Sequence, residues 1–93
     1  MLYAAPAVMV EIARCESRFR QFNADGSVLR GTVNPKDVGL FQINERYWLK
    51  KSKELDYDIY AERGNIEMAL WLYKKNGTRD WSASKPCWGG KSP

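Results

Sequence analysis

Apolar residues recur at helical spacing through the opening of the chain: Ala5, Val8 or Met9, Ile12 and Phe19 share one face. That pattern predicts a helix over about residues 2–20, with Pro6 tolerated near its first turn. Asp25-Gly26 is a turn signal, and residues 27–33 alternate well enough for a short strand pair ending at Asn34-Pro35. Asn44 is placed to cap a second helix over about residues 45–55. Asn65 is placed to cap a third over residues 66–76, where Ile66, Leu70 and Tyr73 repeat at helical spacing and Gly77 supplies the stop. Residues 78–88 read as an aromatic loop, and residues 89–93 have the composition of a tail or linker remnant. No repeat interrupts this order, so the expected fold class is α+β, mostly α, a small domain over residues 1–88 with one short β-hairpin.

With 93 residues, 44% hydrophobic and 28% charged, the chain suits one small core. No run approaches the roughly 20 apolar residues of a membrane helix, so no membrane span is expected. The opening residues also lack the basic stretch and cleavage site of a secretion signal. Fifteen Lys and Arg against eleven Asp and Glu leave a charge of +4, which favours an anionic partner such as nucleic acid, a membrane surface or an acidic cell wall. The dense basic groups are only Lys50, Lys51, Lys53 and Lys74, Lys75, which read as solvated helix faces, so nucleic acid is not the expected partner. The absence of histidine excludes Ser-His and Cys-His catalysis, and two cysteines do not complete a tetrahedral metal site. Chemistry must therefore come from carboxylates, hydroxyls or lysines, with no metal and no cofactor expected.

Cys15 and Cys87 lie near opposite ends of the chain. In a small domain without other metal ligands the expected use of such a pair is one disulfide, which would place the protein outside the cytoplasm. Two buried reduced thiols are the alternative. Trp88 is read as packing around that bond.

Glu16 is the most informative residue, because helical geometry puts it in the apolar stripe with Met9, Ile12 and Phe19. Desolvation there disfavours the ionised form, which keeps a carboxyl available as a proton donor. The plainer reading is a glutamate at the stripe edge that reaches solvent or pairs with Arg18 or Arg20.

The words around Glu16 decide between these. Glu16-Ser17-Arg18-Phe19 is followed by Asn23-Ala24-Asp25-Gly26-Ser27 and then by Asp37-Val38-Gly39-Leu40-Phe41-Gln42-Ile43-Asn44-Glu45-Arg46-Tyr47-Trp48. This order resembles the lysozyme superfamily. The stretch from Asp25 to Trp48 is similar to the hairpin and following segment of chicken-type lysozymes, while Glu-Ser followed by Gly-Leu-x-Gln equally resembles lytic transglycosylases. Cys15-Glu16-Ser17 with Cys87-Trp88 at the end is similar to the resuscitation-promoting factors. The resemblance covers residues 13–48 strongly and the third helix in pattern alone.

The resemblance implies a lysozyme-like domain that cleaves the β-1,4 bond between N-acetylmuramic acid and N-acetylglucosamine in peptidoglycan, acting as a monomer in a secreted or wall-associated setting. Glu16 matches the general acid, and Asp37, two residues before Gly39, falls where chicken-type lysozymes keep a second carboxylate. Ser17, Gln42 and Asn44 match positions lining or bracing the saccharide groove, and Tyr47, Trp48, Tyr73 and Trp81 are candidates for stacking on sugar rings. Asp37 could equally only continue the Asn34-Pro35-Lys36-Asp37 turn, since transglycosylases use a single glutamate as acid and then base and release 1,6-anhydro products. A wall-binding module without catalysis is the competing class. The chain departs from chicken-type lysozymes in being shorter, in having one disulfide at most, and in extra residues between Glu16 and Asp37.

Overall fold

A computed structural model of the protein describes residues 5–89; the expected first residues of the opening helix and residues 90–93 of the tail lie outside the described residues. Helix α1 runs over Ala7–Ser17, shorter at both ends than its apolar spacing predicts. Pro6 precedes it in an extended conformation, and its carbonyl accepts the N–H groups of Met9 and Val10. The helix ends because Ser17 turns its hydroxyl onto the backbone: Ser17 Oγ donates to the Ala13 carbonyl at 3.1 Å and accepts the Arg20 N–H at 3.1 Å. Arg18 then adopts a left-handed conformation and its N–H closes the last turn on Arg14. Met9, Ile12 and Ala13 are fully buried, whereas Phe19, expected on the same stripe, is 47% exposed because the helix has already ended.

The strand pair expected over residues 27–33 is corrected by the structure. That segment makes only isolated bridges, Phe22 to Val28 and Arg30 to Val38. The paired strands are β1, Asp37–Val38, and β2, Ile43–Asn44, antiparallel with Asp37 opposite Asn44 and Val38 opposite Ile43. The physical reason is burial. Val33 is 99% exposed, while Val38, Leu40, Phe41 and Ile43 enter the core, so the segment with an apolar surface to hide takes the pairing. The Asp-Gly turn holds: Gly26 has φ 90°, and Asp25 accepts both the N–H and the hydroxyl of Ser27.

The connection between β1 and β2 doubles back through Gly39 at φ 77° and Gln42 at φ 50°. Two buried amides hold it. Gln21 accepts the Leu40 N–H and donates to the Ile59 carbonyl; Asn65 accepts the Phe41 N–H and donates to the carbonyls of Val38 and Ile59. Every hydrogen-bonding atom of the Asn65 amide group is therefore used inside the core, where an unmade bond is expensive.

Helix α2, Glu45–Glu54, begins as expected, with Asn44 Oδ1 accepting the Tyr47 N–H at 3.1 Å. Helix α3, Glu62–Asn76, does not: it starts four residues before the expected Ile66, after Ala61, which makes Asn65 an interior clamp rather than a cap. Gly77 ends it as expected. Residues 78–88, read as loop, instead form a short 3₁₀ helix, Arg79–Ser84, running into helix α4, Lys85–Trp88. Cys15 and Cys87 form a disulfide that ties α4 to α1. The core gathers Met9, Ile12, Phe41, Ile59, Met68, Leu72 and Trp81 from all parts of the chain. The fold class is α+β, mostly α.

Candidate active site

Glu16 sits on the last turn of α1 and contributes to two adjoining cavities of about 480 and 370 Å3 that share Glu16, Asn34, Asp37, Gln42 and Ala83. Both volumes suit small-ligand sites, which run to about 300–1,000 Å3. The cleft thus has α1 and the segment around Ser84 on one side and the hairpin on the other, with two carboxyls where its halves meet.

Burial raises the pKa of Glu16 above that of an ordinary glutamate; a hydrogen bond from Ser84 opposes the shift, and the negative field of Asp37 adds to it. Ser84 Oγ lies 2.6 Å from Glu16 Oε2 and 3.1 Å from the Trp81 carbonyl, while the Trp88 indole N–H donates to Ser84 Oγ at 3.0 Å. A hydroxyl has one hydrogen and two lone pairs. With Glu16 ionised, Ser84 donates to Oε2. With Glu16 protonated, the carboxyl donates to Ser84 Oγ, and the serine hydrogen turns to the Trp81 carbonyl. The carboxyl therefore has a partner in either protonation state, as a group that gives up and recovers a proton requires.

Asp37 begins β1, and Asn44, its neighbour across the register, donates to Asp37 Oδ1 at 3.0 Å. Burial raises the Asp37 pKa, and the Asn44 bond opposes this. Asn44 performs two tasks with one side chain, capping α2 through its oxygen and orienting Asp37 through its nitrogen. Glu45 fixes the loop that leads into Asp37: its N–H donates to the Lys36 carbonyl, and its carboxylate accepts Arg30 at 2.8 Å and the Tyr60 hydroxyl at 2.7 Å.

The remaining expected site residues divide. Gln42 lines both cavities, its amide donating to the Gly39 carbonyl at 3.0 Å. Ser17 borders the larger cavity, but both capacities of its hydroxyl are used in ending α1. Tyr47, 76% exposed, and Trp48, half-buried edge-on against Trp71 with ring centres 6.3 Å apart, line the smaller cavity. Trp81 borders it too but is a core residue: it is 3% exposed, edge-on to Phe41, and its indole donates to the Phe41 carbonyl. Tyr73 lines neither cavity; it packs against the core from α3. Trp88 packs against the core and bonds Ser84 rather than serving only the disulfide.

Ser84 is the residue that sequence reasoning missed. A usable signal existed: Ser84 precedes Cys87 by three residues, one turn of a short helix, so a Cys15–Cys87 bond carries it toward Glu16. Among the described residues no cluster of three or more His, Cys, Asp or Glu could hold a metal ion, and no helix is long and apolar enough to cross a membrane.

A scan against protein-family models finds none that matches, and searches of curated proteins and of solved structures return no significant match either.

Proposed function

We propose that this domain is a peptidoglycan-cleaving glycosidase of lysozyme type, cutting between N-acetylmuramic acid and N-acetylglucosamine outside the cytoplasm. The observation that carries the reading is the placement of Glu16: a desolvated carboxyl with a switchable hydroxyl partner, facing a second carboxylate where two sugar-sized cavities meet. In this reading Glu16 protonates the glycosidic oxygen as the bond breaks. Asp37 stabilises the positive charge that develops on the sugar ring or attacks the anomeric carbon, and water completes the reaction. Lysozyme is itself the type case for such a carboxyl pair, so this agreement follows from the resemblance and is not a separate derivation. The disulfide is compatible with an oxidising workplace.

A non-catalytic wall-binding module explains less. Such a module has no use for a carboxyl held against its own ionisation, and binding sugar hydroxyls needs no raised pKa. The transglycosylase route remains a second reading, because Ser84 serves Glu16 as acid and as base without Asp37.

Products formed in isotopically heavy water separate the two routes. Hydrolysis puts one heavy oxygen at each new reducing end, and Asp37→Asn then slows turnover strongly, because the amide keeps the bond to Asn44 but loses the charge. Unlabelled anhydro products lighter by one water, with Asp37→Asn costing little, would establish the single-glutamate route instead.

The pH profile follows from the same two groups. Glu16 must be protonated, so activity falls as pH rises through its pKa; Asp37 must be ionised, so activity falls as pH drops through its own. Both pKa values lie above those of ordinary carboxyls, which moves both limbs of the bell toward neutrality. Glu16→Asp or Asp37→Asn variants with unmoved limbs would contradict the assignment.

A further inference from the structure

The two cavities that meet at Glu16 and Asp37 differ in charge. The larger is walled by Arg18, Arg20 and Arg30, whereas the smaller has no Lys or Arg on its wall and carries Asp80 beside Tyr47 and Trp48. Arg30 is already committed to the Glu45 carboxylate and the Pro35 carbonyl. Arg18 and Arg20 make no ion pair among the described residues. Two guanidiniums without carboxylate partners therefore stand on one side of the point where the carboxyls face each other.

The backbone supplies a second observation. Arg18 and Phe19 have φ of 55° and 64°, consecutive left-handed conformations that L residues disfavour. The position just after a helix, where the N–H folds back on the last turn, is the one that glycine fills at least cost. Arginine stands there instead, exposed, and its side chain makes no hydrogen bond to the rest of the protein among the described residues. Nothing in the fold uses that side chain, while the cavity wall does. Arg20 is aimed at the same cavity by Ser17, whose hydroxyl accepts the Arg20 N–H and whose carbonyl accepts Arg20 Nε at 3.4 Å.

We propose that Arg18 and Arg20 form an anion subsite for the carboxylate-bearing substituent of the glycan, the lactyl-linked peptide of muramic acid. The muramic side of the cleaved bond then lies along the arginine-lined cavity, and the uncharged N-acetylglucosamine side runs toward Tyr47 and Trp48. Planar guanidiniums suit carboxylates, whereas a neutral glycan of N-acetylglucosamine alone offers them no charge. The inference rests on the peptidoglycan reading and narrows it to peptide-bearing strands.

The test uses Glu16→Gln protein, so that binding is read without turnover, and three probes titrated by NMR at low and moderate salt. These are a disaccharide-peptide unit with free carboxylates, the same unit with its carboxylates amidated, and chitotetraose. The free acid binds about fivefold more tightly than the amide, as two partly exposed ion pairs allow, and the difference shrinks with salt. Arg18→Gly with Arg20→Ala abolishes the preference and leaves the affinity for the amide and for chitotetraose unchanged. Arg18→Gly alone holds or raises the Tm, because glycine accepts the left-handed conformation.

Equal binding of acid and amide, or a preference that survives the double substitution, would overturn the subsite while leaving the glycan reading in place. A lowered Tm in Arg18→Gly would show that Arg18 serves the fold, which overturns it as well. Failure of all three probes to bind would remove the peptidoglycan reading and the subsite together.

Discussion

Opening the Cys15–Cys87 bond is expected to lower the Tm by roughly 15–30 °C. The bond closes a loop spanning 72 residues, and the chain-entropy model assigns such a loop about 4 kcal/mol. For a domain of this size each kcal/mol moves Tm by about 4–8 °C. The loss is also local to the site. Cys15 adjoins Glu16 in α1 and Cys87 follows Ser84 by one turn, so the bond holds the serine hydroxyl at 2.6 Å from the carboxyl. Calorimetry with and without reductant, and on a Cys15→Ser/Cys87→Ser variant, measures the effect; a shift below about 5 °C would show that the packing of Trp81 and Trp88 holds the C-terminal segment without the bond.

Asn65→Ala is expected to destabilise the fold by about 3 kcal/mol, more than a surface or partly buried polar truncation. Asn65 is fully buried in α3, and its amide takes the Phe41 N–H while donating to the carbonyls of Val38 and Ile59. Truncation leaves the Phe41 N–H without its side-chain partner, and each such buried orphan costs about 1–3 kcal/mol. The Ile59 carbonyl keeps its bond from Gln21, which limits the total. Asn65→Asp keeps the acceptor but loses both donations, so it does not rescue the fold. Denaturant titration reads the change as a lower midpoint at unchanged slope. A loss under about 1 kcal/mol would mean that the turn between β1 and β2 is held by Gln21 alone.

The parts of this molecule that were legible in its sequence are those decided locally. Asn44 caps α2 because an amide followed by a helical run satisfies a nearby N–H regardless of what packs elsewhere. The disulfide was legible by elimination among the uses of two cysteines. Glu16 was legible because its position in the apolar stripe is fixed by helical geometry before any tertiary contact forms. What failed was decided at a distance. Asn65 carries the same local cue as Asn44, yet α3 begins earlier and the amide is spent on Val38, Phe41 and Ile59. Residues 27–33 alternate suitably, but the pairing goes to the residues that the core can cover. Phe19 fits the periodicity of α1, yet Ser17 ends the helix first. Ser84 belongs to no motif and reaches Glu16 across 68 residues of chain.

The most direct test of the proposed activity is release of soluble muropeptides from purified peptidoglycan by the unaltered protein and by Glu16→Gln, measured across the pH range. The amide preserves the shape of the side chain but has no proton to give, and general acid catalysis contributes about 100- to 10,000-fold. The expected result is release by the unaltered protein and a fall of at least about 100-fold in the variant, with unchanged circular dichroism. Stability adds a sign. A carboxyl whose folded pKa is raised favours the folded state least once pH has risen above that pKa, so the variant is expected to be at least as stable as the parent near neutral pH. Release that persists in Glu16→Gln, or no release by the unaltered protein at any pH, would contradict the account.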